Sequence, residues 1–246
     1  MDRRSGSRPG GEVSWLTDRG RRRETNEDAA GGDPAREVYV VADGLGGLPG
    51  GEVASRLAVD SLLASLADLS RDGDAGSGLR EAFRRADAAI RRAAASSPGL
   101  AGMGSTVVLA VAARGDWVVA HAGDSRAYLL RDGRLRPLTT DHNLAAELVA
   151  AGRITPDRGR DHPGQQIVTR MLGSATRCEP GIVRVHRRPG DRLLLCTDGL
   201  TGVVADGEIE RVLATLGTPG ACCRELVALA NDAGGPDNVT VLVVDA

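Results

Sequence analysis

The 246-residue sequence predicts an α+β fold built from antiparallel sheets and helices. Apolar segments of strand length are joined by short turns, which is typical of antiparallel hairpins. Helices occur in two pairs between groups of strands, whereas a doubly wound parallel sheet would alternate one helix with each strand. No segment has the composition of a linker, so residues 12–246 are predicted to form a single domain, preceded by a flexible tail over residues 1–11.

The first half of the chain contains two predicted strands and the first pair of helices. A strand near 13–17 leads into the basic loop DRGRRRETNED, and the β-branched and aromatic residues at 38–42 form the second strand. Apolar residues recur at helical spacing over 51–69. The segment RDGDAGSG ends this helix, and an Ala- and Arg-rich helix is predicted for 79–95.

Strands dominate the second half of the chain. Residues 105–135 predict three strands separated by an Arg-Gly-Asp turn and a bend, followed by an Asp-Gly turn, which together indicate an antiparallel meander. Residues 141–173 form a polar loop with one short helix. The remaining predicted elements are strands at 182–187 and 192–196, helices at 206–216 and 220–233, and a last strand in DNVTVLVVDA.

Composition excludes several classes of function. The 31 basic and 33 acidic residues give a net charge of −2, so neither nucleic acid nor an anionic membrane is expected as a partner. Every basic residue is arginine, and the absence of lysine excludes a Walker-type phosphate loop and a Schiff base. No run is long enough to span a bilayer, and the N-terminus lacks the apolar segment of a signal peptide. A cytoplasmic location is therefore expected.

The four cysteines show no metal-binding pattern. Cys178, Cys196, Cys222 and Cys223 have neither C-x-x-C spacing nor a nearby histidine. Cys196 lies in an apolar strand, and the 222–223 pair lies in an amphipathic helix. We expect buried, reduced thiols.

Aspartates recur next to apolar strands. Asp43 ends VYVVAD, Asp124 ends WVVAHAGD, Asp198 ends RLLLCTD, and Asp237 stands just before the final strand. Taken singly, an Asp-Gly turn or a helix cap explains each of them best. Four such sites, with the acidic residues of NED at 26–28, instead indicate carboxylates gathered at one edge of the sheets.

Gathered carboxylates require a cation or a change in protonation. Two unit charges about 4 Å apart repel by about 4 kcal/mol at an effective dielectric constant near 20, so either their pKa values rise or a cation neutralises them. Oxygen ligands alone suit Mg²⁺ or Mn²⁺, and Gly44 allows a backbone carbonyl to approach as a further ligand. An arginine of RRRETNED beside such a centre would suit a phosphate group, whereas Arg19, Arg21 and Arg22 are expected to be solvated.

The ordered set of motifs resembles a known family. RETNED (23–28), ADGLGGLPGGEVAS (42–55), GMGSTVV (102–108), HAGDSRAYLLRDG (121–133), CTDGL (196–200) and GGPDNVTVLVV (234–244) are similar to motifs of the metal-dependent type 2C protein phosphatases in their bacterial form. The resemblance covers about residues 12–246. It implies a four-layer αββα sandwich, in which two antiparallel β-sheets are flanked by pairs of helices.

The resemblance also implies a set of metal ligands. Asp43 would bridge two ions of Mn²⁺ or Mg²⁺, and the Gly44 carbonyl would bind the second of them. Asp198 and Asp237 would hold the first ion. Asp124 would join Asp198 at a third ion, as in bacterial members.

Further residues carry over from the same motifs. Arg23 matches the family's phosphate-binding arginine, and Glu27 and Asp28 would act mainly through metal-bound waters. Residues 141–173 would form the flap beside the active site that helps to select substrates. The sequence departs from the family at Leu45, where many eukaryotic members have a histidine proposed as general acid, and at Gln166, where some bacterial members offer a serine to the third ion. The general acid therefore stays unassigned.

The resemblance implies hydrolysis of phosphoserine and phosphothreonine in proteins by a metal-activated water, without a protein nucleophile. The implied partners are phosphorylated proteins, among which a Ser/Thr kinase, an anti-anti-sigma-type regulator and a cell-wall enzyme are candidates, and a monomer is expected. The alternative is a phosphatase-like module that binds a partner without turnover.

A serine hydrolase built on GDSR is a further rival. Ser125 lacks a suitable downstream histidine and is followed by a strand, where a nucleophile elbow would enter a helix. His121, His142 and His162 are expected to be packing or loop residues, because the aspartates suffice as metal ligands.

Overall fold

The structure is a computed structural model that describes residues 2–8, 11–45, 50–67, 74–176 and 178–246. Some predicted features lie outside the described residues. They are residues 1 and 9–10 of the tail, residues 46–49 of the glycine-rich motif, and residues 68–73, which hold the predicted end of the first helix and the start of RDGDAGSG.

The described chain forms eleven strands in two antiparallel sheets. The strands are β1 (Asp2–Arg8), β2 (Gly11–Asp18), β3 (Asp28–Asp33), β4 (Val38–Asp43), β5 (Val107–Ala113), β6 (Asp116–Ala122), β7 (Arg126–Arg131), β8 (Arg134–Pro137), β9 (Gly181–His186), β10 (Arg192–Cys196) and β11 (Val239–Asp245). Sheet A has the order β1-β2-β11-β10-β7-β8, and sheet B has the order β3-β4-β5-β6-β9.

Seven α-helices are found in the described residues. They are α1 (Gly51–Leu66), α2 (Ala75–Ser96), α3 (Leu144–Ala150), α4 (Pro156–Arg160), α5 (Asp198–Thr201), α6 (Asp206–Thr215) and α7 (Pro219–Asp232). Short 3-10 turns cover Pro98–Leu100 and Pro163–Gln166. Helices α1 and α2 pack against sheet B, and α6 and α7 pack against sheet A.

Alternation along the strands builds three apolar layers. In β4, Val38, Val40 and Ala42 face the α1–α2 pair. Tyr39 and Val41 face the other sheet, so β4 is buried on both sides. Sheet A repeats the pattern with its own strands, and the result is the predicted four-layer αββα sandwich, which is confirmed.

The predicted meander over 105–135 is wrong. Strands β5 and β6 pair in sheet B, whereas β7 and β8 pair in sheet A. The bend at residues 123–125 therefore carries the chain from one sheet to the other. A turn between neighbouring strands of one sheet and a crossover to the other sheet have the same local sequence pattern, because β5, β6 and β7 are each buried on both faces.

Strand β8 follows the predicted Asp-Gly turn as a further strand, and two other strands also differ from the sequence prediction. Within the predicted flexible tail, β1 pairs along β2 from Asp2↔Thr17 to Arg8↔Gly11. Strand β3, with the sequence DAAGGD, was not predicted, because it lacks the β-branched residues that mark strands. Both β1 and β3 are held by backbone hydrogen bonds to a neighbouring strand. The amino-acid composition of a segment does not indicate such bonds.

Candidate active site

The predicted carboxylates converge at one end of the sandwich. A pocket of about 100 Å³ lies where the two sheets meet, at the ends of β2, β4 and β10 and the start of β11. Its lining includes most of the predicted site residues: Arg23, Glu27, Asp43, Gly44, Asp124, Asp198 and Asp237. Asp28 does not line the pocket. It lies beside Asp43, as its register partner across the β3–β4 pair.

The backbone around Asp43 is fixed from two sides. Its carbonyl accepts the Thr106 amide at 2.9 Å and the Ser105 hydroxyl at 3.0 Å. The Gly44 amide donates to the Glu27 carbonyl at 3.1 Å. A Cβ on Gly44 would lie 2.1 Å from the Gly51 carbonyl oxygen, so only glycine fits between α1 and the β3 side of the pocket.

The other three aspartates come from connections between elements. Asp124 lies in the crossover from β6 to β7, and Asp198 is the first residue of α5, two residues after the last residue of β10. Asp237 precedes β11, and its Oδ1 accepts the Asn238 amide at 2.8 Å. Each position is adjacent to a buried strand, and for this reason the side chains reach the same pocket from distant parts of the sequence.

Arg23 lies at the rim of the pocket. One of its guanidinium nitrogens donates to Asp237 Oδ2 at 2.8 Å, and its side chain is 40% exposed. An arginine in this place can turn toward a ligand in the pocket without leaving a buried cavity behind it.

Asn238 is a site residue that the sequence argument missed. Its Oδ1 accepts the Glu27 amide at 2.8 Å, while its Nδ2 donates to the carbonyls of Arg19 and Thr25. It thus joins the start of β11 to the arginine-bearing loop. The one signal in the sequence was the position of Asn238 directly after Asp237. Its importance comes from burial, because a buried Asn can hydrogen-bond to three backbone groups at once.

Burial dominates the electrostatics of the acidic residues. Burial, reinforced by the charges of neighbouring aspartates, raises the pKa of Asp43 well above its usual range. Burial raises the pKa of Asp28 to about 7 even though the Thr197 hydroxyl donates a hydrogen bond to it. Burial followed by the charge of Asp198 raises the pKa of Asp124 to about 7. Without a cation, this end of the sandwich therefore favours protonated carboxyl groups.

The donor set fits hard divalent cations. Asp28 Oδ1 and Asp198 Oδ1 are buried oxygens without a hydrogen-bond partner, a costly state that a cation or its waters would relieve. Among the described residues, no three His, Cys, Asp or Glu side chains are already arranged around one ion. Asp237 is paired with Arg23 instead, so loading the centre requires side-chain rotation.

The predicted flap forms one wall of a larger cavity. This cavity of about 680 Å³ shares Asp124, Asp198 and Gln166 with the smaller pocket. Its other lining residues come from β7, from the flap and from the α5–α6 region: Arg126, Asp141, Arg160, Gln165, Thr201, Gly202, Ala205 and Asp206. The flap base is held by a bidentate pair in which Arg126 donates to Asp141 at 2.8 and 2.7 Å.

The rival residues have other roles. Ser125 is buried, and its hydroxyl shares a 2.7 Å hydrogen bond with Thr106, so it is not an exposed nucleophile. His121 stacks on His142 with ring centroids 4.4 Å apart, and His162 accepts the Gly164 amide. Leu45 lines the pocket, but its aliphatic side chain cannot act as a general acid. All four cysteines are buried and free, as predicted.

The chain is similar in sequence and in fold to known phosphatases. The serine/threonine phosphatase stp of Listeria monocytogenes is 38% identical over 240 residues, which are 95% of each chain. The serine/threonine protein phosphatase PstP of Mycobacterium tuberculosis is 40% identical over 231 residues, and the match spans 93% of this chain but only 44% of PstP. The catalytic domain of PstP, solved in complex with two manganese ions, superposes with a TM-score of 0.84 at 38% identity, covering 95% of this chain and 96% of that one.

A family model described as protein phosphatase 2C matches residues 17–223, which hold Arg23, Asp43, Asp124 and Asp198. Together with the αββα layers and the acidic pocket between the sheets, this match shows that the chain belongs to the protein phosphatase 2C family.

Proposed function

We propose that this chain is a metal-dependent phosphoprotein phosphatase that hydrolyses phosphoserine and phosphothreonine. The observation that carries the proposal is the pocket itself, in which one arginine and four aspartates from distant segments meet in about 100 Å³. That space suits a phosphate group and bound ions, and it is too small for a peptide.

Asp43 and the Gly44 carbonyl, together with Asp198 and Asp237, are the residues proposed to hold two ions. Asp124 is proposed to hold a third ion with Asp198. When bound, Mn²⁺ or Mg²⁺ would supply the Lewis acidity that activates water and offsets phosphate charge. Glu27, which lines the pocket, and Asp28, which lies beside Asp43, are proposed to orient water.

Arg23 is proposed to bind the phosphate group of the substrate. Its present partner, Asp237, is also a proposed metal ligand. A carboxylate that binds a cation attracts the guanidinium less, and the fork of Arg23 becomes available for phosphate oxygens. Metal and phosphate should therefore bind with positive cooperativity.

The polypeptide part of the substrate needs space outside the phosphate pocket. The adjoining cavity of about 680 Å³ provides it, between the flap and the α5–α6 region. The candidate substrates are a partner Ser/Thr kinase, an anti-anti-sigma-type regulator and a cell-wall enzyme. We propose that the protein acts as a cytoplasmic monomer. Among the described residues, no helix combines the length and hydropathy needed to cross a bilayer.

The decisive experiment measures phosphate release from a phosphothreonine peptide. We expect activity with Mn²⁺, its loss on chelation, and its return when Mn²⁺ is added back. Asp43→Asn should remove activity while the variant stays folded, and Asp60→Asn, on the exposed face of α1, is the matched control. Turnover that survives chelation or the Asp43→Asn substitution would refute the proposal.

The non-catalytic alternative predicts a different result. A binding module would show no turnover in any metal and would keep its affinity for a phosphopeptide. The presence of every proposed metal ligand in one pocket favours the enzyme.

A further inference from the structure

Asp87 is a buried carboxylate outside the candidate active site. It lies on α2, and its side chain is 4% exposed. Oδ1 accepts the backbone amide of Gly173 at 2.8 Å, and Oδ2 accepts Nε of Arg91 at 3.0 Å. One helix thereby holds the chain where the flap returns to the domain.

The position of Gly173 is tightly determined. Its φ is +88°, and a Cβ there would lie 2.6 Å from Ile90 Cγ2 and 2.7 Å from the Met103 carbonyl oxygen. The flap return, residues 172–173, is therefore packed between α2 and the segment that enters β5. It cannot shift without moving that segment.

Hydrogen bonds also connect the segment that enters β5 to the backbone of residues 43–45, which carries proposed metal ligands. Leu172 and Ser105 exchange amide-to-carbonyl hydrogen bonds of 2.9 and 3.1 Å. The Ser105 hydroxyl donates to the Asp43 carbonyl at 3.0 Å, and the amide of Leu45 donates to the carbonyl of Gly104 at 3.1 Å. Residues 104–106 thus lie between the flap return and the backbone of residues 43–45.

We propose that Asp87 is a positioning residue for the metal centre. Through the 172–173 return and Ser105, it sets the position of the Asp43–Gly44 backbone, which supplies the proposed bridging carboxylate and carbonyl ligand. Such support affects a metal site because ligands must be held within a few tenths of an ångström. The inference rests on the proposed function of this pocket.

The test compares Asp87→Ala with a matched control. Asp191→Ala removes an equally buried carboxylate that also binds an arginine and a backbone amide, but at the far ends of β7 and β10. Mn²⁺ affinity is measured by calorimetry without substrate, and kcat and KM are measured with p-nitrophenyl phosphate. We expect Asp87→Ala to weaken Mn²⁺ binding at least fivefold and to lower kcat with little change in KM. Asp191→Ala should lower only the thermal unfolding temperature.

Three further variants test the contacts of Asp87 and the position of Gly173. Asp87→Asn keeps an acceptor for the Gly173 amide. Arg91→Ala removes the ion pair and a 3.4 Å hydrogen bond from Arg91 to the Ala175 carbonyl, but leaves the bond between Asp87 and the Gly173 amide. Both variants should therefore bind Mn²⁺ within about twofold of the wild type. Gly173→Ala displaces the return directly and should weaken Mn²⁺ binding as Asp87→Ala does.

Folded Asp87→Ala with wild-type Mn²⁺ affinity would overturn the inference. If Asp87→Ala does not fold, Gly173→Ala decides, and failure of both to fold would assign Asp87 a purely structural role. An inactive wild type that still binds Mn²⁺ would refute the phosphatase proposal and leave the calorimetric comparison valid.

Discussion

Asp28→Asn should make the metal-free protein more stable at alkaline pH. The usual pKa of an aspartate, 3.8, applies to the unfolded chain, whereas burial raises the pKa of Asp28 to about 7 in the folded protein. A folded-state pKa above the unfolded one adds stability that is complete below pH 3.8 and is lost as the pH rises through 7. The full difference corresponds to about 4 kcal/mol.

The part of this difference that falls between pH 5 and pH 8 is about 3 kcal/mol. Asparagine resembles the protonated carboxyl group, and its carbonyl can still accept the Thr197 hydroxyl, which donates to Asp28 Oδ2 at 2.9 Å. The variant should therefore match the wild type only below pH 3.8, where Asp28 is protonated in both the folded and the unfolded chain. Its stability advantage over the wild type should grow by about 3 kcal/mol between pH 5 and pH 8.

Urea unfolding in EDTA at pH 5 and pH 8 measures the effect. Asp191→Asn is the control, because hydrogen bonds from Arg131 and Arg188 outweigh the effect of burial there and hold the pKa of Asp191 below its usual range. The free energy of unfolding of this control should therefore change between pH 5 and pH 8 as that of the wild type does. Parallel pH profiles for Asp28→Asn and the wild type would refute the electrostatic account of this end of the sandwich.

Three further predictions concern the cation, the phosphate and the flap. Mn²⁺ at 100 times its Kd should stabilise the folded protein by about 2.7 kcal/mol, raising Tm in calorimetry by about 5 to 10 °C; no shift would exclude a metal centre. Arg23→Ala should raise KM for a phosphopeptide about tenfold because a charged phosphate contact is lost, whereas exposed Arg22→Ala should not, and equal effects would remove Arg23 from the site. Arg126→Ala removes the ion-pair partner of the nearly buried Asp141 and should lower the free energy of unfolding in urea by about 3 kcal/mol. Arg36→Ala, which removes an exposed ion pair, should lower it by less than about 1 kcal/mol. Similar losses for the two variants would contradict the role of Arg126 at the flap base.

The sequence predicted helices and strands correctly where the local pattern of apolar residues was strong. Helix α1 was predicted from its apolar periodicity, and strands β4 and β10 were predicted from their apolar runs. Strand β10 has the predicted bounds, whereas β4 and α1 differ from the prediction at their C-terminal ends. Strand β3 was missed because alanine and glycine carry no strand signal. The meander was wrong since a bend does not reveal which of two stacked sheets the next strand joins.

The sequence by itself determined the chemistry available to this protein: aspartates beside apolar strands, an arginine near an acidic pair, no lysine, and motifs in the order of one family. Only the tertiary structure decided how these groups meet. It placed Arg23 against Asp237 and Asn238 between three backbone groups, and it linked Asp87 to the backbone of Asp43. The reason is physical. A side chain's type is a local property, whereas a contact between residues 214 positions apart depends on how two sheets stack.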